Sequence, residues 1–353
     1  MKSRFLYITL ICVVIACMAG SLAAQTADVN NKRIGTAAAT ELLIPVGARD
    51  LAMGGAAAAT THGIDALHWN PAGLGRFTGS AQGLLSSMSY IADIRVNYGA
   101  VGLNFGGFGN IALSVKALDF GDIALTTTDD PEGVAGRTFT PTYVTIGLSY
   151  ARAFTDAITA GGTLKLISEN LQRVTGNGVA LDFGIQYRGV AGFKGVNMGV
   201  ALKNVGPQVS FDGPGLLQRA EPENSRRPSQ FLQVEAASWE LPTSIEIGVA
   251  YERPMNEALS YCASGSYTNN TLALDSYRVG GEIEYKFSNL VVAGRGGIEL
   301  MDKGADDEHI FGPTAGFGFI YKTTGIDIGI DYVFRAVNDF FDNNNMFSLR
   351  LGF

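Results

Sequence analysis

Large apolar side chains alternate with small or charged ones in many segments of roughly ten residues, from about residue 82 to residue 353. In one clear case the two alternating sets are Ile245, Ile247, Val249, Tyr251 and Ser244, Glu246, Gly248, Ala250. Because successive side chains of a β-strand point to opposite faces, each segment predicts a strand with one apolar face. Fourteen strands are predicted near residues 82–91, 95–105, 110–119, 142–152, 158–169, 178–188, 195–204, 242–252, 259–267, 277–286, 290–300, 313–322, 326–335 and 345–353.

A water-soluble sandwich would also alternate, but three features favour a membrane barrel. Full charges lie at mid-strand positions of the polar face, as expected for a polar-lined barrel interior; they are Lys116, Lys165, Asp182, Glu246, Glu282 and Asp331. Aromatic residues close the apolar face in the manner of an interfacial girdle; they include Tyr150, Tyr187, Tyr251, Phe287, Tyr321 and Phe334. Strands of about ten residues, tilted by about 45°, also match the hydrocarbon thickness. The pattern predicts an all-β, transmembrane, antiparallel β-barrel.

The connections between the predicted strands differ in length on the two sides. Those after even-numbered strands are short and those after odd-numbered strands are longer, apart from the first, at 92–94. Short periplasmic turns and long external loops are typical of outer-membrane barrels, so we expect this chain in the outer membrane of a Gram-negative-type bacterium. The longest loop, 206–241, is expected to fold over the external mouth.

The end of the chain also fits an outer-membrane barrel. Phe347, Leu349, Leu351 and Phe353 alternate up to a terminal aromatic residue, which resembles the signal read by the outer-membrane assembly machinery.

The beginning of the chain predicts a targeting segment. Lys2 and Arg4 precede an apolar run over 5–19, and small residues at 21–24 predict cleavage of a signal peptide after Ala24. The stretch 14–17 also resembles a lipoprotein cleavage box with Cys17 as the lipidated residue, and this alternative stays open. A chain that begins at Gln25 keeps Cys262 alone, so no internal disulfide is expected. The predicted organisation is a signal peptide at 1–24, an N-terminal plug segment at 25–79 and a barrel at 80–353.

Composition and motifs argue against an enzyme and against a nucleic-acid partner. The chain has 45 glycines, three histidines and a formal net charge of −7. We find no phosphate-binding loop, nucleophile elbow or paired-histidine zinc motif, and His62, His68 and His309 are dispersed. Acidic stretches at 129–132 and 302–308 have no EF-hand spacing. We therefore expect no catalytic residues, no cofactor and no metal site.

The plug segment carries a motif of its own. It consists of Gly47-Ala48-Arg49-Asp50-Leu51-Ala52-Met53-Gly54-Gly55-Ala56 followed by Asp65-Ala66-Leu67-His68-Trp69-Asn70-Pro71-Ala72-Gly73-Leu74. Paired glycines permit close backbone approach or positive φ, and Asn-Pro initiates a turn. The residues do not distinguish a static plug from a moving gate.

Together these residues resemble the amino-terminal signature of the PorV/PorQ family of outer-membrane proteins. That family is related to the FadL transporters, which implies a fourteen-stranded barrel with an internal amino-terminal plug. The resemblance implies, first, a non-enzymatic component of type IX protein secretion that docks secreted proteins or partner subunits. The alternative is FadL-like transport of a hydrophobic small molecule, past the plug and sideways into the bilayer. In that case we expect loop aromatics to form the ligand pocket with the plug; they are Phe211, Phe231 and Trp239.

Overall fold

The fold is a closed barrel of fourteen antiparallel strands. The computed structural model describes residues 35–220, 229–301, 309–338 and 341–353. The barrel strands are β1 Ala81–Ser89, β2 Arg95–Asn104, β3 Asn110–Asp119, β4 Thr142–Ala153, β5 Ile158–Leu171, β6 Val174–Arg188, β7 Val196–Val205, β8 Ser244–Pro254, β9 Leu259–Asn270, β10 Ser276–Phe287, β11 Leu290–Met301, β12 Phe311–Lys322, β13 Asp327–Val337 and β14 Asn344–Gly352.

Each strand pairs with its neighbours along the chain, and β1 pairs with β14 to close the sheet. Short hairpins lie outside the barrel ladder. They are formed by Ile123–Ala124 with Thr138–Phe139 and by Leu217–Ala220 with Gln230–Gln233. In the described part of the chain, no helix is long and apolar enough to cross a bilayer.

The two faces of the wall have the burial expected in a membrane. On β10, Ile283 points outward and is 60% exposed, whereas its neighbour Glu282 points inward and is 6% exposed. The same inversion holds on the other strands, where inward charges are buried and outward apolar side chains are exposed. This arrangement is stable only if lipid surrounds the wall, so the chain is an outer-membrane β-barrel, as its sequence predicts.

One predicted connection is wrong. A loop was expected at 170–177, but β5 and β6 continue outward and meet at a two-residue turn, Gln172 and Arg173. Two contacts explain the longer strands: Phe211 and Asp212 from the following loop pair with Gly176 and Thr175 of β6. Gln172 adopts a φ of 57°, which allows the tight turn.

The N-terminal segment, which we define as residues 35–79, is buried and contacts the inward face of the wall. Its short helices are the 3₁₀ turns Thr40–Leu43, Gly63–Asp65 and Pro71–Arg76, with α1 at Ala48–Leu51 and α2 at Ala66–Trp69. The predicted signal peptide and Cys17 lie outside the described residues.

Inward glycines on several strands let the backbone of the N-terminal segment approach the wall. A Cβ on Gly280 or Gly297 would overlap the backbone of Met53, and one on Gly199 would overlap the backbone of Ala58. These contacts come from β10, β11 and β7. The segment is therefore held from several sides by direct backbone contact.

Candidate functional site

The Gly54-Gly55 pair joins the N-terminal segment to the wall. Gly54 has a φ of 68°, and its N–H donates to Thr314 Oγ1 at 3.0 Å. A Cβ on Gly54 would lie 2.6 Å from the backbone nitrogen of Ile298, and one on Gly55 would strike the Trp69 ring. Both positions therefore require glycine, for conformation and for space.

Asn70 organises the second half of the motif. It is fully buried, and its Nδ2 donates to the carbonyl oxygens of Ala58 at 2.7 Å and Ile185 at 3.3 Å. Its Oδ1 accepts the N–H of Ala72 at 3.1 Å, which caps the turn that begins at Pro71. One side chain thus ties two parts of the segment to β6.

Asn70→Asp is expected to destabilise the protein by about 2 kcal/mol, because the new carboxylate cannot donate to the two carbonyls it would face. Thermal unfolding in detergent, followed by loss of β-sheet circular dichroism, measures the effect. Asn256→Asp is the control, because Asn256 is exposed in the turn after β8 and its side-chain oxygen accepts the N–H groups of Ala258 and Leu259, which a carboxylate can also do. Equal losses in the two variants would contradict this role for Asn70.

Buried ion pairs link the segment directly to β10 and β14. Arg49 of α1 contacts Glu282 at 3.1 Å, and Asp65 contacts Arg350 at 2.8 Å. Within the wall the chain of contacts continues through Arg295 and Asp331. The signature residues therefore lie at the joint between segment and wall. Among the other signature residues, Ala48, Met53 and Pro71 also contact the wall. Gly47, Ala66 and Gly73 are buried within the segment, where a Cβ on Gly73 would meet Thr61 and Ala66.

The charge of Arg49 also sets the titration of its neighbours. Arg49 Nη1 donates to His62 Nδ1 at 3.3 Å, and the positive charge of Arg49, with burial, lowers the pKa of His62 to about 3. Burial raises the pKa of Asp50 to about 6, although Arg49 opposes this.

A cavity of about 440 Å³ lies between the N-terminal segment and the strand ends that carry the longer loops, the side that the sequence predicts to be external. Much of its lining is apolar, from both the segment and the wall: Leu42, Leu43, Ile44, Pro45, Leu51, Trp69, Tyr90, Ile91, Ile94, Leu118, Phe120, Tyr143 and Phe311. Phe120 and Tyr143 pack edge to face at 4.8 Å, and Tyr90 stacks on Phe311 at 6.0 Å.

Charged side chains line the remainder of the cavity. Lys165 and Lys203 face it, while their acidic partners, Asp182 at 2.5 Å and Glu246 at 3.0 Å, lie behind them in the wall. His68 of α2 also faces the cavity. Burial and the neighbouring cations lower the pKa of His68 well below 6.5, so its imidazole is neutral.

The loop aromatics expected to line a pocket do not line this one. Phe211 packs on Gly176 of β6, Trp239 belongs to a short strand paired with Val209, and Phe231 is 72% exposed. The loop is drawn along the wall by its pairing with β6 and away from the cavity. Aromatic residues at or next to the strand ends line the cavity instead. Those on strands could have been predicted from the alternation that shows which positions face inward.

Other predicted residues have simpler surroundings. Phe347 and Leu349 of β14 point outward, while the backbone of Phe353 pairs with Ala81 and Ser80; recognition by the assembly machinery stays a prediction. In the described ranges no group of three metal-ligating side chains occurs. Both carboxylate oxygens of Asp130 accept backbone N–H groups. The acidic residues at 302–308 lie outside the described part.

Comparisons with known proteins give the fold. No protein-family model and no curated protein matches the sequence. Among solved structures, a deltaS2S3 mutant of the TodX monoaromatic hydrocarbon channel is 11% identical, with a TM-score of 0.56 over 86% of this chain and 97% of that one. The toluene transporter TbuX of Ralstonia pickettii is 14% identical, with a TM-score of 0.53 over 87% and 98%. The Pseudomonas putida toluene transporter TodX is 11% identical, with a TM-score of 0.53 over 86% and 96%.

At these sequence identities the likeness shows a shared barrel fold and no more. This is the fourteen-stranded fold that the sequence resemblance implied. None of the comparisons identifies the PorV/PorQ family.

Proposed function

We propose that this barrel transports small hydrophobic molecules across the outer membrane, and that the external cavity is where they first bind. The observation that carries the proposal is the cavity itself, which has a largely apolar wall at the external end of the barrel. Pockets of about 300–1,000 Å³ suit small ligands. The shared fold with channels for toluene and monoaromatic hydrocarbons supports the same class of cargo. Such transport needs no chemical step, so we propose a non-enzymatic role.

We further propose that the N-terminal segment is a plug that stays in place during transport. Its backbone touches inward glycines of the wall, and buried ion pairs add to this attachment. Withdrawal would break all these contacts together and leave buried charges unpaired, which is costly. Cargo would then leave the cavity sideways into the bilayer instead of passing down the lumen.

Ala273→Trp is expected to weaken toluene binding at least tenfold, because the indole would occupy the cavity that Ala273 lines. Titration calorimetry of the purified barrel in detergent measures the affinity. Val134→Trp, on an exposed external loop residue, is the matched control and should bind as the parent does. Unchanged affinity in Ala273→Trp, or absence of binding in the parent, would refute the proposal.

Docking of secreted proteins or secretion subunits is the second candidate. It rests on the PorV/PorQ-like signature and on an external hairpin that exposes Phe231 and Leu232, at 72% and 52%. Exposed apolar side chains of this kind often mark binding surfaces. Mass spectrometry of the protein purified in mild detergent separates the two functions. Stoichiometric secretion proteins favour docking, and a bound lipophilic compound without protein partners favours transport.

A further inference from the structure

One side of the external cavity is formed by a strap, which we define as residues 37–45. Its outer end is fixed by a hydrogen bond from the Ala38 N–H to the carbonyl of Glu240 at 3.0 Å. Lys116 of β3 holds its middle, since Nζ donates to the carbonyls of Glu41 at 2.6 Å and Ile44 at 2.5 Å. These polar contacts fasten the strap at its outer end and at its middle.

Behind the strap lies an apolar cluster that separates the cavity from the wall. Leu42, 4% exposed, packs there with Ala38 and Ala39 of the strap. Their partners in the wall and the long loop are Ile167, Ala180, Val209 and Leu241. Movement of the strap would therefore extend the cavity to the inner surface of β5 and β6.

The wall is interrupted at this place. The β6–β7 ladder ends at the pair Leu181 and Val205, and pairing with β6 resumes at Gly176 and Phe211. Between them, residues 206–208 belong to no strand, and Pro207 has no N–H to donate.

A groove of about 420 Å³ lies on the lipid side of the interruption. Outward side chains such as Leu166 and Val179 line it, as does Pro207. Ile167 lines the groove as well and belongs to the apolar cluster behind the strap. The cluster is therefore the barrier between the cavity and the groove.

A pair of buried carboxyl groups fastens the strap to the wall. Glu41 and Glu169 of β5 are 2% and 4% exposed, and their side chains interact. Among the described residues no donor makes a full hydrogen bond to either carboxylate oxygen of Glu41 or to Oε2 of Glu169. The backbone N–H groups of Ala39 and Glu41 interact with Glu169 and Glu41 respectively, and a shared proton removes the remaining repulsion between the two buried carboxyl groups.

We propose that the strap is a gate between the external cavity and the lipid-facing groove, held shut by one proton that Glu41 and Glu169 share. This inference rests on the proposed function, because it assigns the sideways exit of cargo to a particular place. When the proton is lost, two buried negative charges repel each other, and the strap leaves the wall.

The titration of Glu41 supports this gate. Burial and the charge of Glu169 raise the pKa of Glu41 from 4.5 to about 8. Glu41 faces Lys116 on β3, Tyr143 on β4 and Glu169 on β5. The closed state binds the proton more tightly than the open state does. The free energy that this contributes to the closed state is therefore fully present below about pH 4.5 and is lost as the pH rises through about 8.

Thiol labelling of Ala180→Cys tests the gate, because Ala180 of β6 is fully buried behind the closed strap and lines neither the cavity nor the groove. Labelling at position 180 is quantified by peptide mass spectrometry and divided by the labelling rate of Val134→Cys, an exposed site treated with the same reagent. We expect this ratio to rise about tenfold between about pH 6 and pH 9. Glu41→Gln, which keeps a neutral side chain, should hold the ratio low at both pH values, and Glu169→Gln should do the same.

The gate is refuted if the labelling ratio of the parent does not change with pH. It is also refuted if the ratio rises as much in Glu41→Gln and Glu169→Gln as in the parent. Toluene binding measured on the same samples tests the proposed function separately, since labelling needs no ligand. If toluene binds but the labelling ratio does not depend on pH, the gate is refuted and the transport function is retained. If the labelling ratio depends on pH but toluene does not bind, the transport function is refuted. Slower release of toluene into liposomes at about pH 9 in Glu41→Gln, with unchanged binding, would connect the gate to transport.

Discussion

Gly280→Ala is expected to loosen the N-terminal segment while leaving the barrel closed, at a cost of about 3 kcal/mol. The added Cβ would overlap the backbone of Met53. Gly297 of the adjacent strand meets the same residue, so Met53 cannot shift toward β11 to make room. Limited proteolysis of the segment measures the loosening, and resistance of the barrel to unfolding in detergent shows that the strands remain paired.

The chain offers a control one residue away. Gly281 points outward on the same strand, and the nearest atom to a Cβ there is the carbonyl oxygen of Cys262 at 3.4 Å. Gly281→Ala should therefore change stability by less than about 0.5 kcal/mol. If the protease cleaves the segment at the same rate in Gly280→Ala and Gly281→Ala, the inward glycines do not determine how the segment is held.

Much of the barrel could be predicted because a membrane imposes a simple rule on each strand. Lipid outside and polar groups inside force alternation with a period of two, which is local in sequence. The third strand, for example, was expected at 110–119 and spans Asn110–Asp119. The β5–β6 connection could not be predicted, since its length depends on pairing with Phe211, far along the chain.

The site was less predictable because its contacts are distant in sequence. The motif around Asn70 could be recognised, but its hydrogen bond to Ile185 could not. Nor does spacing reveal that Arg49 meets Glu282. The lining aromatic Tyr143 was not among the expected pocket residues, because the hypothesis placed the pocket in the long loop, although its inward position follows from the alternation of β4.

Arg49→Met is expected to destabilise the protein by about 3–5 kcal/mol, because it removes one partner from a buried ionic network. Glu282 would lose one of its two arginine contacts, and Asp50 would lose its nearest cation. Equilibrium unfolding in detergent measures the loss. Arg253→Met is the control, since Arg253 is exposed and bonds only to the Tyr251 hydroxyl among its described contacts. Adding Glu282→Gln should recover part of the loss, because it removes the excess negative charge that Arg49→Met leaves in the network, while Arg295 keeps its contact with Asp331.

His62 gives this prediction a second, site-specific outcome. Arg49 is the main reason that the pKa of His62 is near 3, so its removal should raise that pKa toward 6.5, which NMR titration can follow. A histidine with a lowered pKa makes the folded state lose stability as the pH falls from about 6.5 to about 3. Arg49→Met removes much of that loss, so its stability deficit should shrink in this range. If the loss of stability in Arg49→Met is the same at every pH and the pKa of His62 is unchanged, Arg49 acts by packing and not by charge.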